Sequence, residues 1–300
     1  MIRVGWRKYL HMITEVPFTG AIFGFFVVTV HILPCKVSAN LTAWLGRTIG
    51  PWLKKSKLAY KNLKFIYPHK SEAEIQTIIR DMWDNLGRTV GEYPHLTKFT
   101  FDDFQIDGGE ILKNVIQNNQ PAILVGAHLA NWEMILVVSR LYGATVSSIY
   151  RPANNIVVRW LVEMMRRRVA SYLIHRGPAG GRQTYAALKK NHCIAMLTDH
   201  KLTGGVVVPF MGHPVATAAA PATFGARLRC PIIPVQVKRL GKTSKFYICF
   251  YPPIAYPDTG NNEQDIYHIT AEVNRHIESW IEEAPGQWFW LHKRWGKILQ

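Results

Sequence analysis

From Pro121 onward the chain alternates short apolar runs with amphipathic stretches, and this alternation limits the possible folds more than any other feature. "AILVG", "TVSSIY", "CIAMLTD", "VVVPF", "PIIPVQVKRL" and "KFYICFYPPI" read as strands. Helices are expected over Asn131 to Tyr142, Asn155 to Val169, Gly181 to Lys190, Ala219 to Arg229 and Glu263 to Glu283. Strands that carry apolar residues at consecutive positions must be covered on both faces, and intervening helices supply that cover. The expected fold class is therefore α/β: a single domain with a largely covered central sheet flanked by helices, plus an N-terminal membrane-associated helical segment. Residues 1–56 are assigned to that segment and 57–300 to the α/β domain, with no repeat or low-complexity linker.

Ahead of the alternating region, Lys57 to Leu96 reads as helical. Ile75, Ile78, Ile79, Met82, Trp83 and Leu86 fall on one stripe, and Ser71 with Glu74 makes a capping box at its start. Nearer the N-terminus, "PFTGAIFGFFVVTVHIL" is apolar apart from His31, follows Arg3, Arg7 and Lys8, and stops at Pro34. It falls short of the ~20 residues that comfortably span a bilayer, and no small-residue cleavage site follows it. An anchor embedded in or lying on the membrane is the expectation, with a buried core helix as the alternative.

Composition adds a direction. A formal charge of +16 attracts polyanions, which include nucleic acid, an anionic membrane, acidic proteins and phosphorylated substrates. Charge alone does not choose among them. Cys35, Cys193, Cys230 and Cys249 are too scattered for a disulfide framework or a Cys-rich zinc site, and no H-E-x-x-H or C-x-x-C occurs. Neither a metal nor a cofactor is expected.

One segment carries chemistry. "GAHLANWEM" lies between a strand and a helix, with His128 and Glu133 five residues apart. Both could not share a face if both were helical, so the histidine belongs in the turn before the helix if the two are to meet. Such turns, at the carboxyl ends of strands, are where open α/β sheets place ligands, and the incoming helix offers free N–H groups. An imidazole held in one tautomer by a carboxylate can take a proton from a hydroxyl. The plain alternative makes His128 a helix cap and Glu133 a first-turn acid.

"HLANWE" matches the H-x-x-x-x-[DE] block of the lysophospholipid acyltransferase superfamily, and the surrounding sequence resembles its bacterial lipid A branch, the late lauroyl/myristoyl acyltransferases. The resemblance extends over nearly the whole chain, through "YRPANN", "HRG", "LTDHK", "VPFMGHPVATAAAPATFGARLRCPIIPV" and "PGQWFWLHKRW". It implies transfer of an acyl chain from acyl carrier protein to a hydroxyl of a lipid A precursor at the cytoplasmic face of the bacterial inner membrane. It makes His128 the general base and Glu133 its acidic partner, and places Arg151 and Asn154 in a second block associated with acceptor or phosphate contacts. Arg176 and Asp199 fall in further matching blocks and are taken as substrate-binding. Two departures stand out: the "F-P-E-G-T-R" block of glycerolipid relatives is absent, and Asp199-His200 stands where lipid A enzymes commonly carry Asp-Gln.

The residues agree with that chemistry. A thioester has a good leaving group, so transfer needs an activated hydroxyl, an oxyanion site and alignment, and no G-x-S-x-G elbow is present. Arg151 suits bidentate contact with an anion. Arg159, Arg166, Arg167 and Arg168 form a basic cluster that would dock the acidic carrier or lipid headgroups, or else face solvent. "GPAGGR" reads as a turn and helix start. "QWFWLHKRW" sets aromatics beside cations, as either a membrane-interface segment or a buried C-terminal anchor does. The other readings are an acyltransferase acting on a different bacterial lipid or glycolipid, and a noncatalytic basic protein binding membrane or nucleic acid. No nucleic-acid motif appears, so nucleic acid is not an expected partner.

Overall fold

The computed structural model describes residues 30, 32–150, 152 and 156–296. Arg151, Asn154 and most of the N-terminal apolar run therefore lie outside the described residues. Three helices come first: α1 (Cys35–Ile49), α2 (Ser56–Ile66) and α3 (Glu72–Glu92). The stretch expected to be helical from Lys57 is thus two helices. Tyr67 and Pro68 interrupt it, since the residue before a proline is driven out of the α region. Ser71 then restarts it with the expected capping box, its N–H donating to Glu74 Oε2 at 2.8 Å. The helix α1 lies directly on α3. A Cβ added at Gly87 or Gly91 would fall 2.3 Å from an oxygen of Thr42, so only glycine permits this approach.

The alternating region follows as β1 (Phe104–Asp107), α4 (Gly109–Gln117), β2 (Ala122–Gly126), α5 (Met134–Leu141), β3 (Val146–Tyr150), α6 (Ile156–Arg166), β4 (Tyr172–His175) and α7 (Pro178–Lys189). It continues through β5 (Cys193–Leu197), β6 (Val206–Phe210), β7 (His213–Thr217), α8 (Ala220–Leu228), β8 (Ile232–Arg239), β9 (Phe246–Phe250) and α9 (Asn262–Glu283). Seven strands form one sheet in the order β1-β9-β8-β2-β5-β3-β4, every neighbour parallel except β8 with β9; β6 and β7 pair as a separate hairpin.

Successive residues of the central strands feed opposite cores, as the two-residue period of a strand requires. Ile123, Val125, Ile194 and Met196 pack with α2, α3, α9 and the C-terminal tryptophans. Ala122, Leu124, Cys193 and Ala195 pack with α4 and α5 on the other face. The domain is mixed α/β with a covered, mostly parallel sheet. Among the described residues no helix is long and apolar enough to cross a membrane. The outer side of α1 nevertheless leaves Val37, Leu41, Trp44 and Ile49 exposed, and Trp52 beyond it is 88% exposed.

Candidate active site

The register of β2 and β5 builds the site. Gly126 lies opposite Leu197 in parallel pairing, so two further residues along each strand bring His128 and Asp199 together at the carboxyl edge of the sheet. The Asp199 carboxylate accepts from the His128 backbone N–H (2.9 Å), pairs with His128 Nδ1 (2.8 Å) and accepts from the Trp288 indole N–H (2.8 Å). Burial alone would raise its pKa, but His128, and then His200 and His292, outweigh that and hold it well below the ordinary carboxylate range. An ionised carboxylate only accepts hydrogen bonds, so Nδ1 carries a hydrogen, and in the neutral ring Nε2 keeps its lone pair. Among the described residues Nε2 has no hydrogen-bond partner.

Glu133 is held differently from the sequence expectation. It caps α5 and is 1% exposed. Its carboxylate is paired with Arg166, whose Nε lies 3.0 and 3.1 Å from the two oxygens, and it accepts from the Tyr93 hydroxyl at 2.6 Å. The expected hydrogen bond between Glu133 and His128 is replaced by the one to Asp199. Five residues carry the chain round a turn and into α5, whereas the neighbouring strand end delivers a carboxylate directly to the imidazole. Arg166 is accordingly withdrawn from the expected basic docking cluster: it ends α6 and turns inward, its charge held by the buried Glu133 and Tyr93, while Arg167 and Arg168 are exposed.

The turn itself is gripped by α3 and the C-terminus. Ala130 has φ 49, a left-handed conformation. Its carbonyl accepts from Asn85 Nδ2 (3.0 Å) and Thr89 Oγ1 (3.1 Å), and its N–H donates to the Gln287 carbonyl (3.0 Å). Asn131 Nδ2 donates to Glu92 Oε2 at 2.9 Å. The Phe289 N–H donates to the His128 carbonyl at 3.0 Å. The segment "QWFWLHKRW" is thus buried anchoring: Trp288, Trp290 and Trp295 are each at most 1% exposed.

Around the base lies a histidine cluster. The His200 ring stacks on His128 with centroids 4.0 Å apart and 3° between planes, and His292 sits 4.5 Å from His200. Burial, then His128, pushes the His200 imidazole down to about 4, and burial holds His292 well below its ordinary value. Both rings are therefore neutral at neutral pH. One donor atom from each of His128, Asp199 and His200 lies within 4.8 Å of the others, a set able to ligate a metal ion at the expense of the His128–Asp199 bond.

Of the remaining expected residues, Arg176 follows β4 at the same edge of the sheet. Its backbone N–H donates to the Tyr150 carbonyl at 3.0 Å, and its side chain is exposed. Arg151 continues from the neighbouring β3 but lies outside the described residues, as does Asn154. Sequence reasoning missed Tyr93 and Trp288 as supports, and gave Asp199 to substrate. The available signal was the "CIAMLTD" run: an acid just past a buried strand of a parallel sheet sits at its ligand-binding edge.

A sequence profile for bacterial lipid A biosynthesis acyltransferases matches residues 6–297. The chain is 27% identical over 271 residues to the lipid A biosynthesis palmitoleoyltransferase of Escherichia coli strain K12, covering 87% of this chain and 86% of that one. To the lauroyltransferase of the same organism it is 25% identical over 276 residues, covering 87% and 86%. To its myristoyltransferase it is 23% identical over 271 residues, covering 88% and 82%.

Proposed function

Since the chain belongs to the bacterial lipid A biosynthesis acyltransferases, we propose that it moves a fatty acyl chain from acyl carrier protein to a hydroxyl of a lipid A precursor, with His128 as base. The observation that carries this reading is the His128 ring, tied through Nδ1 to a buried anionic Asp199 and free at Nε2, at the edge of the sheet where substrates bind. Nε2 accepts the proton of the acceptor hydroxyl as its oxygen attacks the thioester carbon. The C–O bond forms, the C–S bond breaks, and the proton passes from the imidazolium to the departing thiolate. Asp199 fixes the tautomer and stabilises the imidazolium, a contribution that typically accompanies general-base factors of about a hundred to ten thousand.

Glu133 acts one step away. Bonded to Arg166 and Tyr93, it holds the start of α5 against α3 and α6, and so fixes the turn that carries the base. The N–H groups of Glu133, Met134 and Ile135 are bonded within the turn, which leaves those of Asn131 and Trp132 as the donors for the developing oxyanion. The resemblance assigns Arg151 and Asn154 to the anionic acceptor, the exposed Arg176 stands at the sheet edge that carries His128, and the reaction takes place at the cytoplasmic face of the inner membrane. There the exposed apolar side of α1 reaches the lipid, and the N-terminal run is assigned to the same surface on its sequence alone. The test is to incubate membranes holding the protein with acyl carrier protein thioesters and a lipid A precursor, then look for the added acyl mass. Absence of that mass with the wild type, or its persistence with a folded His128→Ala variant, overturns the reading.

A further inference from the structure

One cavity, whose walls do not include His128, has a chemistry of its own. It encloses about 390 Å³ between the start of α1, the turn after α3 and the β8–β9 hairpin. Its walls include Cys35 and Phe99, and four lysines, Lys36, Lys98, Lys242 and Lys245, stand around them against a single acid, Asp103. Arg88 also lines it, but its charge is met by Asp84 at 2.7 Å and its Nη1 donates to Asn40. Lys242 is shared with Asp81 and Asp84 on α3. Lys36, Lys98 and Lys245 have no ion-pair partner among the described residues. Burial pushes the Cys35 thiol up to about 11, as expected of an apolar wall.

We propose that this cavity binds the phosphate group of a lipid, with the lysines on the phosphate and the lipid's hydrocarbon against Cys35 and Phe99. Three observations converge on it. Uncompensated ammonium groups around an apolar floor match an amphipathic anion and suit neither a free sugar nor a neutral lipid. The mouth adjoins the helix whose outward residues Val37, Leu41 and Trp44 are exposed, an apolar face of the kind that lies in a bilayer surface. The wall is also wired to the base-carrying turn: Ser244 Oγ donates to Glu92 Oε1 at 2.7 Å, and the other oxygen of Glu92 accepts from Asn131, three residues after His128. The phosphate belongs either to the acceptor, in which case the proposal rests on the acyltransferase reading, or to a bilayer phospholipid.

The experiment uses the full chain purified in neutral detergent and a Lys36→Gln/Lys98→Gln/Lys245→Gln variant, whose exposed positions leave the fold intact as checked by its Tm. Native mass spectrometry measures binding of dihexanoyl phosphatidylglycerol against dihexanoyl phosphatidylcholine. The wild type should prefer the anionic lipid, and the variant should bind it at least tenfold more weakly with the neutral lipid unaffected. Equal binding of phosphatidylglycerol by the two proteins overturns the proposal. A second arm compares acyl transfer to a phosphorylated lipid A precursor and to the same precursor after phosphatase treatment. A rise in KM confined to the phosphorylated acceptor assigns the cavity to the acceptor's phosphate. Equal behaviour of both acceptors, with phosphatidylglycerol binding lost, assigns it to bilayer phospholipid. Lack of product from either acceptor with lipid binding intact rejects the acyltransferase reading and leaves the cavity's ligand standing.

Discussion

Two buried carboxylates flank the turn that carries His128, and they are held in opposite ways. Asp199 accepts hydrogen bonds from an indole, a backbone amide and the imidazole, and the buried Arg294 guanidinium acts on it only through space. Glu133 is locked to a full guanidinium and a phenol. An acid held by an imidazole can respond when that imidazole takes a proton, whereas one already neutralised by arginine is a fixed strut. The first arrangement suits a proton-transfer site and the second suits architecture, even though it is the second acid that sits at the motif spacing.

The comparison is broken most directly at the base. His128→Ala should lower the rate of acyl transfer about a hundredfold to ten-thousandfold with little change in Tm, because it removes the proton acceptor while Asp199 keeps the backbone N–H of residue 128 and the Trp288 indole, and Glu133 keeps Arg166. Asp199→Asn should come close to it in steady-state rate. With its oxygen on Nδ1–H the asparagine would set its NH2 against two donors, the His128 amide and the Trp288 indole; the flipped amide avoids that clash but donates to Nδ1 and so moves the ring hydrogen to Nε2. Near-wild-type turnover in a folded Asp199→Asn variant would remove Asp199 from the mechanism and return the role to Glu133.

Glu133→Gln should show the reverse balance. Removing one partner of a buried ion pair leaves Arg166 uncompensated and typically costs about 3–5 kcal/mol, so thermal unfolding should register the change strongly. Activity per folded molecule should fall less than in Asp199→Asn. If Glu133→Gln instead loses activity as fully as His128→Ala at unchanged Tm, the two carboxylates have been assigned the wrong way round.

A smaller effect comes from the neutral histidines. His200 titrates at about 4 in the folded chain against its ordinary 6.5, so between those values the unfolded chain binds more protons. Stability is then full above about pH 6.5 and declines as pH falls toward 4. The expected loss is on the order of 3 kcal/mol, and His292, also pushed down by burial, adds to it in the same direction. His200→Gln should flatten the fall of Tm over that window. An unchanged slope would mean that the carboxylates dominate acid sensitivity.

Sequence reading reached the layers but not the contacts. The covered strands at Ala122, Cys193 and Ile232 were legible because each is an uninterrupted apolar run bounded by polar residues. The edge strands Phe104–Asp107 and Tyr172–His175 were not, since each is only four residues long and leaves two of them exposed. His128 could be picked out because a strand, a turn and a helix follow one another in the chain. Its partner could not, because Asp199 is 71 residues away and becomes a neighbour only through the β2–β5 register. Arg166 misled for the same reason: three adjacent arginines look alike in sequence, and only the packing of α6 turns one of them inward.

The smallest prediction concerns the turn itself. Ala130 occupies a left-handed conformation that costs an L-residue roughly 1–2 kcal/mol, and glycine would relieve that strain. The same substitution loosens the unfolded chain and gives back about 0.4–1 kcal/mol. Asn85, Thr89 and the Gln287 carbonyl grip only the backbone of Ala130, and that backbone is unchanged in the variant. Ala130→Gly should therefore shift Tm only slightly, upward if at all, and leave the acyl-transfer rate within about twofold. A large loss of activity at unchanged Tm would show that the backbone clamps alone do not fix the turn, and that the Ala130 methyl, which is fully buried, helps aim His128.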